Sequence, residues 1–322
     1  MFLRATKWAL ALLVLAFAGL FVWGYAADIP LAELKAKYAN AESEFVDVGG
    51  GLTVHLRDEG SADAPAIILL HGSNASLHTW DEWTRRMTGK FRIIRFDQPG
   101  HGLTGPHPSD DYSVAAFADV VDRVAANRGL DRFTLGGNSM GGGIAHEYAK
   151  TYPQKLAGLI LVDSGGQSEA KPTALPIGFR IMQWPVLNQL ATVITPRSII
   201  DQSLRSSVSK GSYIDDAEVD LYWELLRRPG NREATVKRFG QRSARPQDAA
   251  DAAPLGTPTL ILWGEEDKLI PASSAAWFAK RLPNSRTHIY KGVGHIPMQE
   301  LPDESARDVM AWMERPIPTA AQ

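Results

Sequence analysis

One run in this chain of 322 residues constrains the fold more than any other: Phe133-Thr134-Leu135-Gly136-Gly137-Asn138-Ser139-Met140-Gly141-Gly142-Gly143. It reads as a short apolar strand that stops in glycines, presents one serine, and restarts as a helix through Ile144-Ala145-His146-Glu147-Tyr148-Ala149. A strand turning that sharply into a helix forces its middle residue into a strained backbone conformation, and only small neighbours permit the turn. Ser139 then stands clear of the sheet, with a helix N-terminus behind it where developing negative charge is favoured. The pattern Gly-x-Ser-x-Gly alone is a weak signal, because glycine and serine cluster in ordinary turns. The strand before it and the helix after it raise its weight, and they ask the rest of the chain for a base, an acid and an oxyanion hole.

The chain is long enough for one large α/β domain with an insertion. A formal charge of −2, with 44% hydrophobic and 22% charged residues, describes an ordinary globular protein and gives no sign of a nucleic-acid surface. There are no cysteines, which excludes disulfides, thiol catalysis and cysteine-ligated metals.

Trp8 to Tyr25 carries no charge, follows Arg4 and Lys7, and has the length of a membrane-crossing helix. Trp8, Trp23 and Tyr25 stand at its ends as interfacial anchors do, and the cations before it favour a cytoplasmic N-terminus with the folded domain outside the cytoplasm (periplasmic in a bacterium). The alternative is a signal peptide cleaved near Gly24-Tyr25-Ala26, leaving a secreted protein. The expected organisation is an anchor over 1–27, a stalk over 28–43, a core formed by 44–164 and 254–315, a helical segment over 165–253 and a loose tail over 316–322.

Strands are expected at Glu44–Val48 and Leu52–Arg57, joined by a Gly49-Gly50-Gly51 hairpin, then at Ala66–Leu70, Phe91–Phe96, the elbow strand, Leu156–Asp163, Pro258–Trp263 and Arg286–Tyr290. Helical stretches at Leu31–Ala39, Val114–Arg128, Ser273–Leu282 and Leu301–Glu314 alternate with them, which argues for a parallel sheet with crossovers. Between Gly165 and Ala253 prolines break up helical segments, and the strand pattern lapses.

A serine hydroxyl needs a base to take its proton, and the base needs a partner to fix its tautomer. His295 lies just past the last strand and Asp267 just past the one before it, and loops at the carboxyl ends of parallel strands converge on one crevice. Glu265, Glu266 and Asp163 compete with Asp267 for the acid, Asp163 reading better as a structural strand-end carboxylate. His71 and His101 read as loop-ordering residues and His146 as packed against the sheet. No His/Asp/Glu spacing suggests a metal, and no dinucleotide fingerprint is present.

In order, the His71-Gly72 loop, Asp97-Gln98-Pro99-Gly100-His101-Gly102, the elbow, Trp263-Gly264-Glu265-Glu266-Asp267 and Gly294-His295 resemble the α/β-hydrolase superfamily, in particular its cap-bearing serine hydrolases of esterase and lipase type. The resemblance implies an eight-stranded, mostly parallel sheet flanked by helices, a helical cap inserted after the sixth strand, a Ser139–His295–Asp267 triad and no cofactor. It also implies an oxyanion hole from the N–H groups of Met140 and Ser73. The expected partner is a small-molecule ester of a small or medium lipophilic acid. Asn138-Ser139-Met140-Gly141-Gly142 is similar as well to the elbow of hydrolases that cleave C–C bonds in ring-fission dienoates. Cofactor-free perhydrolases share the triad, and a relic triad on a ligand-binding module is a third alternative. Asn74, Met182, Trp184 and Ile296 are candidate substrate contacts, Phe179, Val186 and Leu187 read as cap core or acyl-pocket lining, and the arginine-rich stretch Leu225–Arg245 reads as a solvated helical face.

Overall fold

The computed structural model describes residues 21–166, 172–243 and 255–314, together with isolated positions between 8 and 19. Eight strands form one sheet: β1 (Ser43–Asp47), β2 (Thr53–Glu59), β3 (Ala66–Leu70), β4 (Arg92–Phe96), β5 (Phe133–Asn138), β6 (Leu156–Val162), β7 (Thr259–Gly264) and β8 (Ser285–Tyr290). Their order is β1-β2-β4-β3-β5-β6-β7-β8. The pairings of β2 with β1 and β4 are antiparallel and the rest are parallel. The β1–β2 hairpin turns through Gly49, Gly50 and Gly51, all at positive φ, a region open to glycine without a Cβ clash.

Continuous apolar runs form the central strands because both faces are covered. Along β3 the side chains alternate, Ile68 and Leu70 joining one core cluster while Ile67 and Leu69 join the other. The first cluster is closed by α3 (Val114–Asn127) and α4 (Met140–Thr151), which follow α1 (Leu31–Tyr38) and α2 (Asp81–Met87) in the chain. Phe117, Val120, Val121 and Val124 form the buried stripe of α3, whose first turn is capped by Ser113 Oγ accepting from Ala116 N at 3.1 Å. Trp80, Trp83 and Val309 close the other face.

Among the described residues between β6 and β7 lie five α-helices: α5 (Ile177–Met182), α6 (Pro185–Leu190), α7 (Arg197–Arg205), α8 (Asp216–Leu226) and α9 (Asn231–Ser243). The prolines expected to interrupt this segment instead start its helices. Pro185 is the first residue of α6, and Pro176 and Pro196 directly precede α5 and α7. A fixed φ and a missing N–H cost nothing in a first helical turn. After β7 the chain adds α10 (Ser273–Arg281), α11 (Pro297–Glu300) and α12 (Pro302–Met313).

The stretch expected as a stalk is part of the folded body. Leu34 of α1 is 1% exposed and packs with Leu103 and Leu225, while Lys37 Nζ and Tyr38 OH both donate to Glu224 of α8. Just before it, Ala26 N donates to Val193 O at 3.1 Å and Thr195 N to Gly24 O at 2.8 Å. The arginine-rich stretch is not solvated throughout, since Arg232 and Arg238 are each 7% exposed. Arg232 donates to Ala26 O at 2.7 Å and to Asp28 Oδ1 at 2.5 Å. Most of the expected anchor, the expected tail and the segments 167–171 and 244–254 lie outside the described residues. Among the described residues no helix is long and apolar enough to cross a membrane.

Candidate active site

Ser139 joins β5 to α4 with φ 54° and ψ −116°, inside the positive-φ region that side chains rarely adopt. Its N–H donates to Val162 O at 3.1 Å, and its carbonyl accepts from Gly165 N at 2.8 Å and Gly143 N at 3.1 Å. The flanking glycines are required by contact. A Cβ on Gly137 would lie 2.3 Å from the Gly141 carbonyl carbon, and one on Gly141 would lie 2.2 Å from Leu70 O. The turn closes because those side chains are absent.

His295, in the loop after β8, meets Asp267, in the loop after β7, with Nδ1 and Oδ2 2.7 Å apart. Asp267 Oδ1 accepts from the N–H groups of Leu269 at 2.8 Å and Ile270 at 3.0 Å, so the carboxylate is held on both oxygens. An acceptor at Nδ1 places the proton there and leaves the Nε2 lone pair to serve as a base. The Asn138 amide donates to His295 O at 3.1 Å and to Val162 O at 3.2 Å. Asp163, at the end of β6, accepts from Gly264 N at 2.9 Å. Burial, together with the nearby Asp267, holds its carboxyl well above the usual range, so Asp163 is the protonated member of this neighbourhood.

The loop after β3 runs against the elbow. A Cβ on Gly72 would lie 3.3 Å from Ser139 Cβ, and Asn74 turns the loop at φ 60°. His71 orders this loop, with Nδ1 donating to Gly72 O at 2.8 Å and Nε2 accepting from Gln98 N at 3.0 Å. Burial pushes its imidazole down to about 4, so it stays neutral. Arg238 of α9 donates to Ser73 Oγ at 2.6 Å and to Asn74 Oδ1 at 2.7 Å.

A cavity of about 140 Å³ opens between the sheet edge and the inserted helices α5, α7, α8 and α9, lined by both Ser139 and His295. Phe179, Met182, Ile194, Ile199, Leu204 and Val236 make its wall largely apolar. Ser73, Asn74, Met182 and Ile296 reach it, and Met140 is the first residue of α4. Trp184 does not line it: it is 65% exposed, and Val186 and Leu187 beside it also face outward. His146 packs edge-on against Trp277 and Phe278, where burial pushes its imidazole down to about 4.

Among the described residues, two groupings bring three possible ligand atoms within 4.8 Å of one another: Asp163, Asp267 and His295, and His288, Glu304 and Asp308. The first is bonded internally through His295 and Asp267. In the second, Asp308 already accepts from Tyr290 OH at 2.9 Å. Sequence reasoning missed Arg238 and Asn138. The signal for Arg238 was present in the spacing of Asn231, Thr235 and Arg238, which puts three polar residues on one helix face.

Sheet order, elbow and site together define a hydrolase fold, and the matches agree. Residues 67–308 match the model of the alpha/beta hydrolase family, and the chain belongs to that family. An uncharacterised protein of Mycobacterium tuberculosis is 28% identical over 269 residues, covering 80% of this chain and 78% of its own. A 2-hydroxy-6-oxononadienedioate/2-hydroxy-6-oxononatrienedioate hydrolase of Burkholderia vietnamiensis is 26% identical, covering 86% of this chain and 97% of its own. Among crystal structures, an assigned lipase of Acinetobacter baumannii superposes with a TM-score of 0.73 at 26% identity, covering 89% of this chain and 97% of that one. A membrane phospholipase A, described as a bacterial virulence factor, superposes with a TM-score of 0.72 at 25% identity, covering 97% of this chain and 98% of that one.

Proposed function

We propose that the protein is a serine hydrolase that cleaves a carboxylic ester of a small or medium lipophilic acid through an acyl-enzyme. The observation that carries this reading is the His295–Asp267 pair, 2.7 Å apart, opening onto the same apolar cavity as Ser139. Ser139 Oγ attacks the ester carbonyl and its proton passes to His295 Nε2. The oxyanion is held by the N–H groups of Met140 and Ser73, worth a few kcal/mol each at the transition state. His295 returns the proton to the departing alcohol, then takes one from water, which releases the acid and restores Ser139. The inserted helices act as a cap that keeps the acyl chain out of water.

The ester reading is tested with p-nitrophenyl esters from acetate to palmitate, comparing wild type with Ser139→Ala. Turnover with a chain-length optimum, lost by at least about 1,000-fold in the variant, is the expected result. No turnover on any ester, together with no labelling by a fluorophosphonate, overturns it.

A second reading, hydrolysis of a C–C bond in a ring-fission dienoate, draws on relatives bearing such names. The cavity favours the ester. A dioate needs cationic partners for two carboxylates, whereas the cavity wall is largely apolar and Arg232 is the one Lys or Arg among its described lining residues.

In the same reading the run Trp8–Tyr25 tethers the enzyme to a membrane with the domain on the outer side. Its support is the uncharged length of that run and the likeness, over 97% of the chain, to a membrane phospholipase A. A full-length mass in the membrane fraction is expected, and a shorter protein released into the soluble fraction overturns the tether.

A further inference from the structure

The inserted helices reach the reaction centre through a cation. Arg238 lies midway along α9, 7% exposed. Its Nη1 donates to Ser73 Oγ at 2.6 Å and contacts Met140 Sδ at 3.4 Å, while Nη2 donates to Asn74 Oδ1 at 2.7 Å. Thr235, one turn earlier on α9, donates to the same Asn74 oxygen at 3.2 Å. Ser73 and Met140 are the two residues whose N–H groups are assigned to the oxyanion. Asn74, between the loop and α9, carries the left-handed turn at φ 60°, a conformation that asparagine tolerates better than most side chains.

We propose that Arg238 is the positioning residue of the oxyanion hole: it fixes Ser73, Asn74 and Met140 so that two N–H groups converge, and it makes that convergence depend on α9 being seated. The inference rests on the acyl-transfer reading. A guanidinium suits the task because its rigid fork spans two acceptors at once, which a lysine ammonium cannot do. Oxyanion donors act by being pre-arranged, so whatever holds their spacing contributes at the transition state and little in the ground state. Its positive charge beside the hole acts in the same direction, favouring the anionic tetrahedral state over the neutral carbonyl.

The experiment uses the full chain and p-nitrophenyl butyrate, with fluorophosphonate labelling of Ser139 as an independent readout. Arg238→Ala is expected to lower kcat by about 30-fold, short of the 100-fold or more of a lost donor, with KM within about threefold of wild type. The labelling rate falls in parallel, and Arg238→Lys recovers only part of the loss. Ser73→Ala removes the Oγ acceptor but keeps the N–H and is expected to lower kcat by about fivefold. The double variant is no slower than Arg238→Ala alone, as required when two changes break one interaction.

A raised KM with unchanged kcat in Arg238→Ala overturns the inference, because Arg238 would then be touching substrate. Additive losses in the double variant overturn it too. Should Arg238→Ala not fold, Ser73→Ala carries the test, and an unchanged kcat there overturns it. A wild-type protein that neither turns over nor labels fails earlier, at the acyl-transfer reading. An active wild type with an equally active Arg238→Ala fails only here.

Discussion

Asn138, the residue before Ser139, donates through its amide to the carbonyl of His295 at 3.1 Å and to that of Val162 at 3.2 Å. The elbow and the loop carrying His295 are thereby one hydrogen-bonded unit, although 157 residues separate them in the chain. Asn138→Ala removes both bonds in a buried place. It is expected to cost about 2 kcal/mol in urea unfolding and about tenfold in kcat, with KM little changed. An unchanged kcat would show that His295 needs no such support.

Asp97 is a buried carboxylate that accepts from Leu77 N at 2.8 Å, Leu103 N at 2.8 Å and His55 Nδ1 at 2.7 Å. Burial alone would raise its pKa, yet His55, with His71 and His78, holds it below the usual carboxylate range. A depressed folded value gives stability that is fully present above the unfolded value of about 4 and is lost progressively as pH falls from there through the lower folded value. Asp97→Asn is therefore expected to be less stable by about 3 kcal/mol at pH 7, the gap closing as the pH drops below about 4. Thermal unfolding from pH 7 to pH 3 checks this, and a gap independent of pH refutes it.

Asp163 presents the opposite sign. Burial and the adjacent Asp267 raise its folded value, so above the unfolded value of about 4 the native state holds a proton that the unfolded chain has released. Its contribution to stability therefore declines as pH rises through that window. Asp163→Asn removes the slope while keeping the shape of the side chain. Its melting temperature relative to wild type is expected to climb between pH 5 and pH 8, and parallel curves for the two proteins would contradict the assignment.

The size of the apolar cavity sets a further expectation. Ile200 lines it and is partly exposed, so Ile200→Trp fills space with little loss of packing. The ester-length optimum should shift to shorter acids, with kcat on acetate within about threefold of wild type. An unmoved optimum would place the acyl chain elsewhere.

Much of this arrangement was legible in the amino-acid order because it follows from local physics. Runs such as Ala66–Leu70 declare strands covered on both faces, and Gly137 and Gly141 declare a turn that tolerates no side chain. Asp267 and His295 could be brought together because each ends a strand on the same sheet edge. What stayed hidden depends on partners far along the chain. A helix rich in arginine reads as solvated until Arg238 is seen to meet Ser73, 165 residues away. The stretch before β1 reads as a stalk until Tyr38 meets Glu224. Pro185 reads as a breaker because composition cannot separate a helix end from a helix start.

The clasp between Ala26 and Arg232 sets where this protein can be cut. A preparation begun at Ala27 deletes the Ala26 carbonyl that Arg232 binds and the Tyr25–Ile194 pairing beside it, leaving a buried guanidinium short of a partner. A version that keeps these contacts begins at or before Gly24, whose carbonyl binds Thr195. The same clasp creates a load path. Arg232 and Arg238 stand six residues apart on α9, about 9 Å at 1.5 Å per residue. A pull on the N-terminal end would therefore reach the same helix that carries Arg238.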